Sequence, residues 1–283
     1  MHYLQYDREQ LDRQYNARAG IPRFQDIFDR WSRDAEAFRR QHKVLINQHY
    51  GDHRLQALDY FPAAVQNAPL LVFIHGGYWR SLDKDDFSHI AAPYLQAGIA
   101  VAMFNYRLAP EVDMDDIVAD VRAGFAWLYR QASAFGFDTR RIHVAGHSAG
   151  GHLAAMLAGT DWRDANLSAH PIKGLCGVSG LYDLEPIRLS YLNETMQLDE
   201  KQVREFSPVH HLPPSPIPVV LTAGGIESAE FHRQLAAYAQ RLTTAGNSVR
   251  HVKPAGGHHL DVIDQLGDGN GELARALIAM IQS

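Results

Sequence analysis

After Pro69 the chain alternates between continuous apolar runs and stretches with helical spacing. The predicted strands are 70–74, 99–106, 141–146, 173–180, 219–223 and 248–254, and the predicted helices are 83–97, 115–134, 149–159, 228–245 and 271–282. A strand that is apolar on both faces must be covered on both sides, and helices between successive strands can supply this cover. We therefore expect one α/β domain of 283 residues with a mostly parallel, doubly wound central sheet.

The chain before this alternation predicts a helical extension and a hairpin. In residues 1–41, apolar side chains recur at helical spacing between Phe24 and Trp31, which indicates a helix with one apolar face. Two alternating segments around residues 51–52 predict a β-hairpin that begins the sheet. The sequence leaves open whether the extension covers a binding pocket or packs behind the core.

The alternation stops between residues 181 and 218, a proline-rich segment with a predicted helix near 197–206. This segment is too long for a plain connection. Long insertions in compact domains commonly serve as lids or binding loops. We therefore expect a small cap at residues 181–218.

Composition and charge argue against several classes of protein. The formal net charge is −5 and basic residues form no stripe, so no nucleic-acid partner is expected. The single cysteine, Cys176, excludes an internal disulfide and a multi-thiolate metal site, and its apolar surroundings predict an inert thiol. No apolar run of about 18 residues and no apolar leader occur, which predicts a cytoplasmic protein without a membrane partner. A monomer and a homodimer both remain open.

The five residues Gly146 to Gly150 match the pattern G-x-S-x-G between a predicted strand and a predicted helix. In that context the pattern predicts a sharp turn that exposes a nucleophilic serine, here Ser148. Side chains two positions either side of the serine would clash in so tight a turn, which accounts for the flanking glycines. Ser148 is therefore the predicted nucleophile.

A serine hydroxyl is a weak nucleophile near neutral pH, so it needs a general base and a group that orients the base. For this turn the expected chain order is serine, acid, histidine. Glu227 lies just beyond the predicted strand 219–223 and is the preferred acid, with Glu230 as an alternative on the next helix. Asp183 and Glu185 are rival acids.

The predicted base is His259, in a glycine-rich loop after the last strand, with the adjacent His258 as the alternative. His75 precedes the serine in the chain, so we expect it to hold a loop. Three further histidines show no metal-ligand spacing, and no metal or organic cofactor is expected. They are His143, His147 and His152.

The stretch His75-Gly76-Gly77 follows the predicted strand 70–74 and matches an oxyanion-binding segment. Backbone amides of Gly76 and Gly77 are expected to point at a substrate oxygen, together with the amide of Ala149 at the start of a helix. Three aromatic residues are placed near the predicted pocket by these motifs, and they are expected either to contact the substrate or to pack in the core. They are Tyr78, Trp79 and Tyr182.

From about residue 42 onward the chain resembles an α/β-hydrolase of the hormone-sensitive-lipase-like branch, and within it the kynurenine formamidases (arylformamidases). The resemblance is carried by HGGYW at 75–79, NYRLAP at 105–110, Asp120 with Trp127, AGHSAGGHL at 145–153, SGLYDLEP at 179–186 and EFHRQ at 230–234. It implies a triad of Ser148, Glu227 and His259, although members of the family commonly have aspartate where this chain has Glu227.

The same resemblance implies a serine hydrolase that cleaves an N-formyl or N-acyl arylamine through an acyl-enzyme. Two alternatives stay open. A carboxylesterase acting on short-chain acyl esters would share most of the motifs. A hydrolase fold reused as a ligand receptor is the third hypothesis, because fold does not fix function.

Overall fold

A computed structural model describes residues 3–253 and 256–283 of the chain. An eight-stranded sheet in the order β1-β2-β4-β3-β5-β6-β7-β8 forms its centre. β1 and β2 pair antiparallel, β2 pairs antiparallel with β4, and the remaining neighbours are parallel. The strands are β1 (Leu45–His49), β2 (Ala57–Phe61), β3 (Ala68–Ile74), β4 (Ala100–Phe104), β5 (Phe137–His147), β6 (Ile172–Val178), β7 (Pro218–Thr222) and β8 (Ser248–His251).

The described residues form helices on both faces of this sheet. They are α1 (Arg8–Tyr15), α2 (Phe24–Gln41), α3 (Ala92–Gln96), α4 (Met114–Arg130), α5 (Ala132–Phe135), α6 (Ala149–Ala158), α7 (Glu185–Leu189), α8 (Asn193–Met196), α9 (Glu200–Phe206), α10 (Ala229–Thr244), α11 (Asp264–Gly267) and α12 (Glu272–Gln282). Two apolar clusters, one on each face, bury the sheet. The expected α/β architecture is confirmed, because strands such as β3 are buried along their whole length.

The hairpin expected around residues 51–52 is present as the antiparallel pair β1 and β2. The single helix expected at 83–97 is not. Two short 3₁₀ turns, Lys84–Asp86 and Ser88–Ala91, precede the short helix α3. Pro93 explains the break, since proline has no amide hydrogen to donate and is accommodated only in the first turn of a helix.

Other boundaries also differ from the sequence expectations, and β5 begins at Phe137, four residues before the expected start at 141. The helix expected at 115–134 divides into α4 and α5, and β8 ends at His251. Pro254, the end of the strand expected at 248–254, lies outside the described residues. The helix expected near 197–206 corresponds to α9, within a segment that also contains α7 and α8.

The N-terminal extension consists of α1 and α2, and its first two residues lie outside the described part of the chain. α2 buries Trp31, Ala35 and Phe38 on one face, as its apolar spacing predicted. The indole Nε1 of Trp31 donates a hydrogen bond to Oδ1 of Asp264 at 2.8 Å. Among the described residues, no helix combines the length and the apolar character needed to cross a membrane.

Candidate active site

Ser148 lies at the turn between β5 and α6, with backbone angles φ 55° and ψ −121°. Such a conformation is sparsely populated for a residue with a side chain and costs about 1–3 kcal/mol. The turn is so tight that a Cβ at Gly146 would lie 2.1 Å from the Gly150 carbonyl oxygen, and one at Gly150 would lie 2.0 Å from the Ile74 carbonyl oxygen. Both glycines of the motif are therefore required by close backbone approach.

The structure brings Ser148, His259 and Glu227 into one hydrogen-bonded row. His259 Nε2 lies 3.0 Å from the Ser148 Oγ, and His259 Nδ1 lies 2.8 Å from Oε2 of Glu227. A carboxylate only accepts, so Nδ1 carries the proton that it donates to Glu227 and Nε2 is left to accept from the serine hydroxyl. Ser148 is 2% exposed and His259 6% exposed, so most of each side chain is buried against protein. This arrangement can activate a hydroxyl for attack on an acyl carbon.

Glu227 receives two further hydrogen bonds on its other carboxylate oxygen. The hydroxyl of Ser179 donates to Oε1 at 2.5 Å, and the amide of Gly224 donates to the same oxygen at 2.6 Å. Burial by itself raises the pKa of Glu227, but the nearby His259 and these hydrogen bonds outweigh it and lower the pKa below its ordinary value. The carboxylate is therefore ionised and fixed in orientation.

The rival acids occupy other positions. Glu230 accepts from the Tyr15 hydroxyl and pairs with Arg233, while Asp183 accepts from the Tyr3 hydroxyl. Glu185 pairs with its neighbour Arg188 on α7. Within residues 3–253 and 256–283, no carboxylate besides Glu227 hydrogen-bonds to the His259 ring.

The alternative base, His258, forms no hydrogen bond to Ser148 within the described part of the chain. Its Nδ1 accepts hydrogen bonds from the backbone amides of Leu260 and Asp261 at 3.2 Å. These contacts occupy its ring in the turn that positions His259. The geometry therefore favours His259 as the base.

The segment after β3 lies against the serine turn. A Cβ at Gly76 would come within 3.0 Å of the Ser148 Cβ, so the backbone at Gly76 passes directly beside the nucleophile. Gly77 has φ 105°, in the region that favours glycine. Ala149 is the first residue of α6, and the first amides of a helix have no acceptor within it. Gly76 and Ala149 adjoin the serine, and Gly77 lines the same cavity as Ser148, so the three positions remain candidates for an oxyanion site.

His75 anchors the oxyanion segment from behind. It is buried, and its Nε2 lies 3.0 Å from Oδ1 of Asn105, which also accepts from the Lys84 amide. The Tyr106 hydroxyl donates to the His75 carbonyl oxygen at 3.0 Å. His75 thus holds the loop, as the sequence predicted.

A cavity of about 780 Å³ opens above Ser148 and His259. Its wall includes residues of α1 and of the following segment 16–18, which answers the question that the sequence left open about the extension. Tyr78 also lines this cavity, and its hydroxyl donates to the Tyr15 carbonyl oxygen at 2.6 Å. Part of the substrate space is therefore built from the N-terminal extension.

Trp79 and Tyr182 do not take the places expected for substrate contacts. Both are fully buried, Trp79 against His152 with an Nε1–Nδ1 distance of 3.2 Å, and Tyr182 stacked on Tyr238 with ring centroids 4.2 Å apart. The expected substrate contact is therefore wrong for these two residues, which take the core role that the sequence left open. The motifs place the two residues near the site along the chain, but their apolar rings pack into the core.

Two residues that the sequence did not single out support the row. Ser179, with φ 50°, orients Glu227 as described above. His147 Nε2 donates to the backbone carbonyl oxygen of His259 at 2.8 Å. Burial and the neighbouring His259 lower the pKa of His147 to about 3, so its ring is neutral. Only the adjacency of His147 to the serine could have indicated this role.

The described residues contain no cluster of three or more His, Cys, Asp or Glu side chains suited to a metal ion. The thiol of Cys176 is buried, and burial raises its pKa to about 12, so it is a neutral thiol.

Comparison with known proteins finds relatives that are hydrolases. The model of the family described as BD-FAE matches residues 58–229. A kynurenine formamidase of Danio rerio is 34% identical over 246 residues, which cover 84% of this chain and 82% of that protein. Esterase LipC of Mycobacterium tuberculosis is 28% identical, over 81% of this chain and 62% of that protein.

Solved structures of similar fold agree with these matches. A candidate thioesterase from Silicibacter sp. TM1040 superposes with a TM-score of 0.84 at 30% identity, covering 97% of this chain and 99% of that one. Esterase LipW of Mycobacterium marinum superposes with a TM-score of 0.69 at 23% identity, covering 91% of this chain and 86% of that one, a likeness of fold.

Proposed function

Since this chain belongs to the BD-FAE family and to the kynurenine formamidases among the α/β-hydrolases, we propose that it hydrolyses an N-formyl or N-acyl arylamine through an acyl-enzyme. The observation that carries the proposal is the row Ser148–His259–Glu227, with Nε2–Oγ and Nδ1–Oε2 distances of 3.0 and 2.8 Å, at the floor of a cavity. An arylamide is proposed as the substrate because the relatives of 34% and 33% identity are kynurenine formamidases.

In the first half of the reaction, Ser148 Oγ attacks the acyl carbon while His259 Nε2 takes its proton. Glu227 stabilises the imidazolium that forms. The negative charge on the acyl oxygen is stabilised by the amides of Gly76, Gly77 and Ala149. Amides held in the backbone before the reaction need little reorganisation as the charge develops.

The second proton transfer makes an amide bond cleavable. An arylamine leaves as a neutral molecule only if its nitrogen gains a proton, and His259 Nε2–H is placed to supply it. Water then enters and attacks the acyl carbon while His259 removes one of its protons. His259 returns that proton to the Ser148 Oγ as the bond between Oγ and the acyl carbon breaks, which releases formic or another carboxylic acid and restores Ser148. No step in this sequence requires a metal or an organic cofactor.

A carboxylesterase acting on short acyl esters is the second candidate. The esterase relative supports it, and an ester would use the same serine row. The two functions differ in the leaving group, because an alkoxide or phenoxide leaves with less help from His259 than an amine does. A matched aryl formamide and aryl ester therefore separate them.

The test is a substrate panel containing N-formylkynurenine and matched aryl esters, measured as kcat/KM. The arylamidase proposal requires the formamide to be turned over faster than a simple phenyl ester. Ser148→Ala should fold normally and lose nearly all turnover, whereas Ser168→Ala, an exposed serine, should keep it. If a fluorophosphonate fails to label Ser148 in the folded protein, both enzymatic proposals fail and a ligand receptor remains.

Four further expectations, on domain organisation, location, nucleic-acid binding and oligomeric state, are also proposals. We propose a single catalytic domain in which residues 181–218 form a cap, a cytoplasmic location, no nucleic-acid partner, and a homodimer as the state to test first. The net charge of −5 supports the third of these. Light scattering of the purified protein tests the last.

A further inference from the structure

Two arginine side chains in the wall of the cavity have no acidic partner. Arg18 and Arg80 line the same cavity as Ser148 and His259. Over the described ranges, neither forms an ion pair with a carboxylate, whereas the neighbouring Arg8 and Arg13 both do. A guanidinium is always charged at neutral pH and carries five N–H donors. Donors of Arg18 and Arg80 that have no carboxylate partner can therefore bind an anionic ligand.

Aromatic rings hold both guanidinium groups in place. Arg18 lies over Phe24 and Phe28, with its Cζ 5.3 and 5.2 Å from the ring centroids. Arg80 lies 5.8 Å from the ring centroid of Tyr191, and its Nη1 donates to Oγ1 of Thr195 at 2.9 Å. Stacking uses the face of a guanidinium and leaves most of its in-plane N–H groups to other acceptors.

The acidic residues of the cavity wall do not offset these charges. Glu9 pairs with Arg13 at 2.5 Å, and Asp12 pairs with Arg8 at 3.0 Å while accepting from the Tyr191 amide. The lining of the cavity includes three arginines, Arg13, Arg18 and Arg80, against the two carboxylates, in a chain whose formal charge is −5. A positive surplus at a cavity wall favours binding of an anionic group there.

Both arginines and Tyr191 belong to the wall of this one cavity. Arg80 lies over the Tyr191 ring, and the Tyr191 hydroxyl donates to the Tyr15 carbonyl oxygen at 3.5 Å, three residues before Arg18 in the chain. Two guanidinium groups on one cavity wall can supply donors to the two oxygens of a carboxylate.

We propose that Arg18 and Arg80 form a subsite for a carboxylate carried on the leaving-group side of the substrate. This subsite rests on the proposed acyl-enzyme reaction, since a formyl group is too small to fill a cavity of about 780 Å³ and the arylamine must occupy the rest. The preferred substrates are then aryl amides with an anionic side chain, and neutral analogues of the same shape are poorer.

The test compares two pairs of substrates in which a carboxylate is replaced by a primary amide of the same shape. One pair consists of aryl formamides and the other of aryl acetates. The readout is the ratio of kcat/KM for the anionic member to that for the neutral member. The wild type should show a ratio of at least about 10, because a charge-assisted pair to arginine is lost with the amide.

The double variant Arg18→Gln/Arg80→Gln should lower this ratio at least about tenfold. Arg163→Gln, an exposed arginine paired with Asp161, is the matched control and should leave the ratio within about twofold of the wild type. A wild-type ratio near one would overturn the proposal. So would an equal loss for both members of a pair, since that would indicate a structural role for the arginines.

Failure of the subsite is distinguishable from failure of the proposed reaction. If formamides are not cleaved but acetates are, the acetate pair still gives the ratio. If neither is cleaved, calorimetry on Ser148→Ala measures binding of a carboxylate-bearing arylamine and of its primary amide. The subsite requires the carboxylate to bind at least about tenfold more tightly, and requires the arginine variants to abolish this difference.

Discussion

Replacing Glu227 by glutamine should reduce kcat/KM by about a thousand- to ten-thousandfold while leaving the protein folded. The substitution keeps the size of the side chain and removes its charge. His259 becomes an imidazolium in the transition state, and its Nδ1 lies 2.8 Å from Oε2 of Glu227. Glutamine also presents either an amide NH₂ or a carbonyl oxygen to Nδ1, which weakens control of the tautomer.

The magnitude follows from the distance. With an effective dielectric constant of about 20, two unit charges attract by about 6 kcal/mol at the Nδ1–Oε2 separation of 2.8 Å, or about 4 kcal/mol if the charge centres are about 4 Å apart. Since about 1.4 kcal/mol corresponds to tenfold in rate, the loss lies between about 10³ and 10⁴.

The assay is steady-state hydrolysis of an activated aryl ester, with thermal unfolding to verify the fold of each variant. Asp183→Asn is the matched control, because Asp183 was a rival acid and lies apart from His259 in the structure. A loss of less than about tenfold in Glu227→Gln, or an equal loss in the Asp183 variant, would refute the assignment of the acid.

Two further predictions concern stability. Gly150→Ala should lower the free energy of unfolding by about 2–4 kcal/mol, because its Cβ would lie 2.0 Å from the Ile74 carbonyl oxygen. Urea unfolding measures this change, and Gly267→Ala is the control because a Cβ there meets no atom closer than 3.5 Å. Equal stability of the two variants would contradict the prediction. Three buried histidines should make the protein less stable as the pH falls. Burial lowers the pKa of His143 and of His152 to about 4 and that of His147 to about 3, so the unfolded chain binds more protons below its ordinary histidine pKa of about 6.5. Their contribution is complete above about pH 6.5 and falls by up to about 1.4 kcal/mol per histidine per pH unit down to about pH 4. The pKa values of His75, His89 and His251 are lowered as well and add to the total slope. His143→Gln should therefore reduce the slope, in urea titrations at about pH 7, 6 and 5, by up to about 1.4 kcal/mol per pH unit. An unchanged slope would show that His143 does not titrate as described.

Most of the sheet and the close approach of Ser148, Glu227 and His259 could be predicted from the sequence because their signals are local. A strand buried on both faces has a continuous apolar pattern, and a tight turn demands glycines at fixed positions. The order of the three groups along the chain then limited the choices for acid and base. Their catalytic roles stay predictions until the variants are measured.

Other features depend on contacts between distant parts of the chain. An aromatic side chain is equally apolar whether it faces a cavity or the core, and this is why Trp79 and Tyr182 could not be distinguished from Tyr78. The helix expected at 83–97 was shortened by a single proline within an otherwise favourable pattern. The part played by His147 follows from a hydrogen bond to a residue 112 positions away.

The attachment of α1 beside the acid has a consequence for how specificity can change. The Tyr15 hydroxyl donates to Glu230 on the helix that follows Glu227, and the Tyr3 hydroxyl donates to Asp183, so residues 3–15 are held to the catalytic domain at both ends. The part of the cavity wall that this extension supplies can therefore be exchanged while the serine row stays in place. Exchanging residues 3–21 with those of a relative should transfer substrate preference without disturbing Ser148, His259 and Glu227. A set of such chimeras could be used to change the substrate of the enzyme.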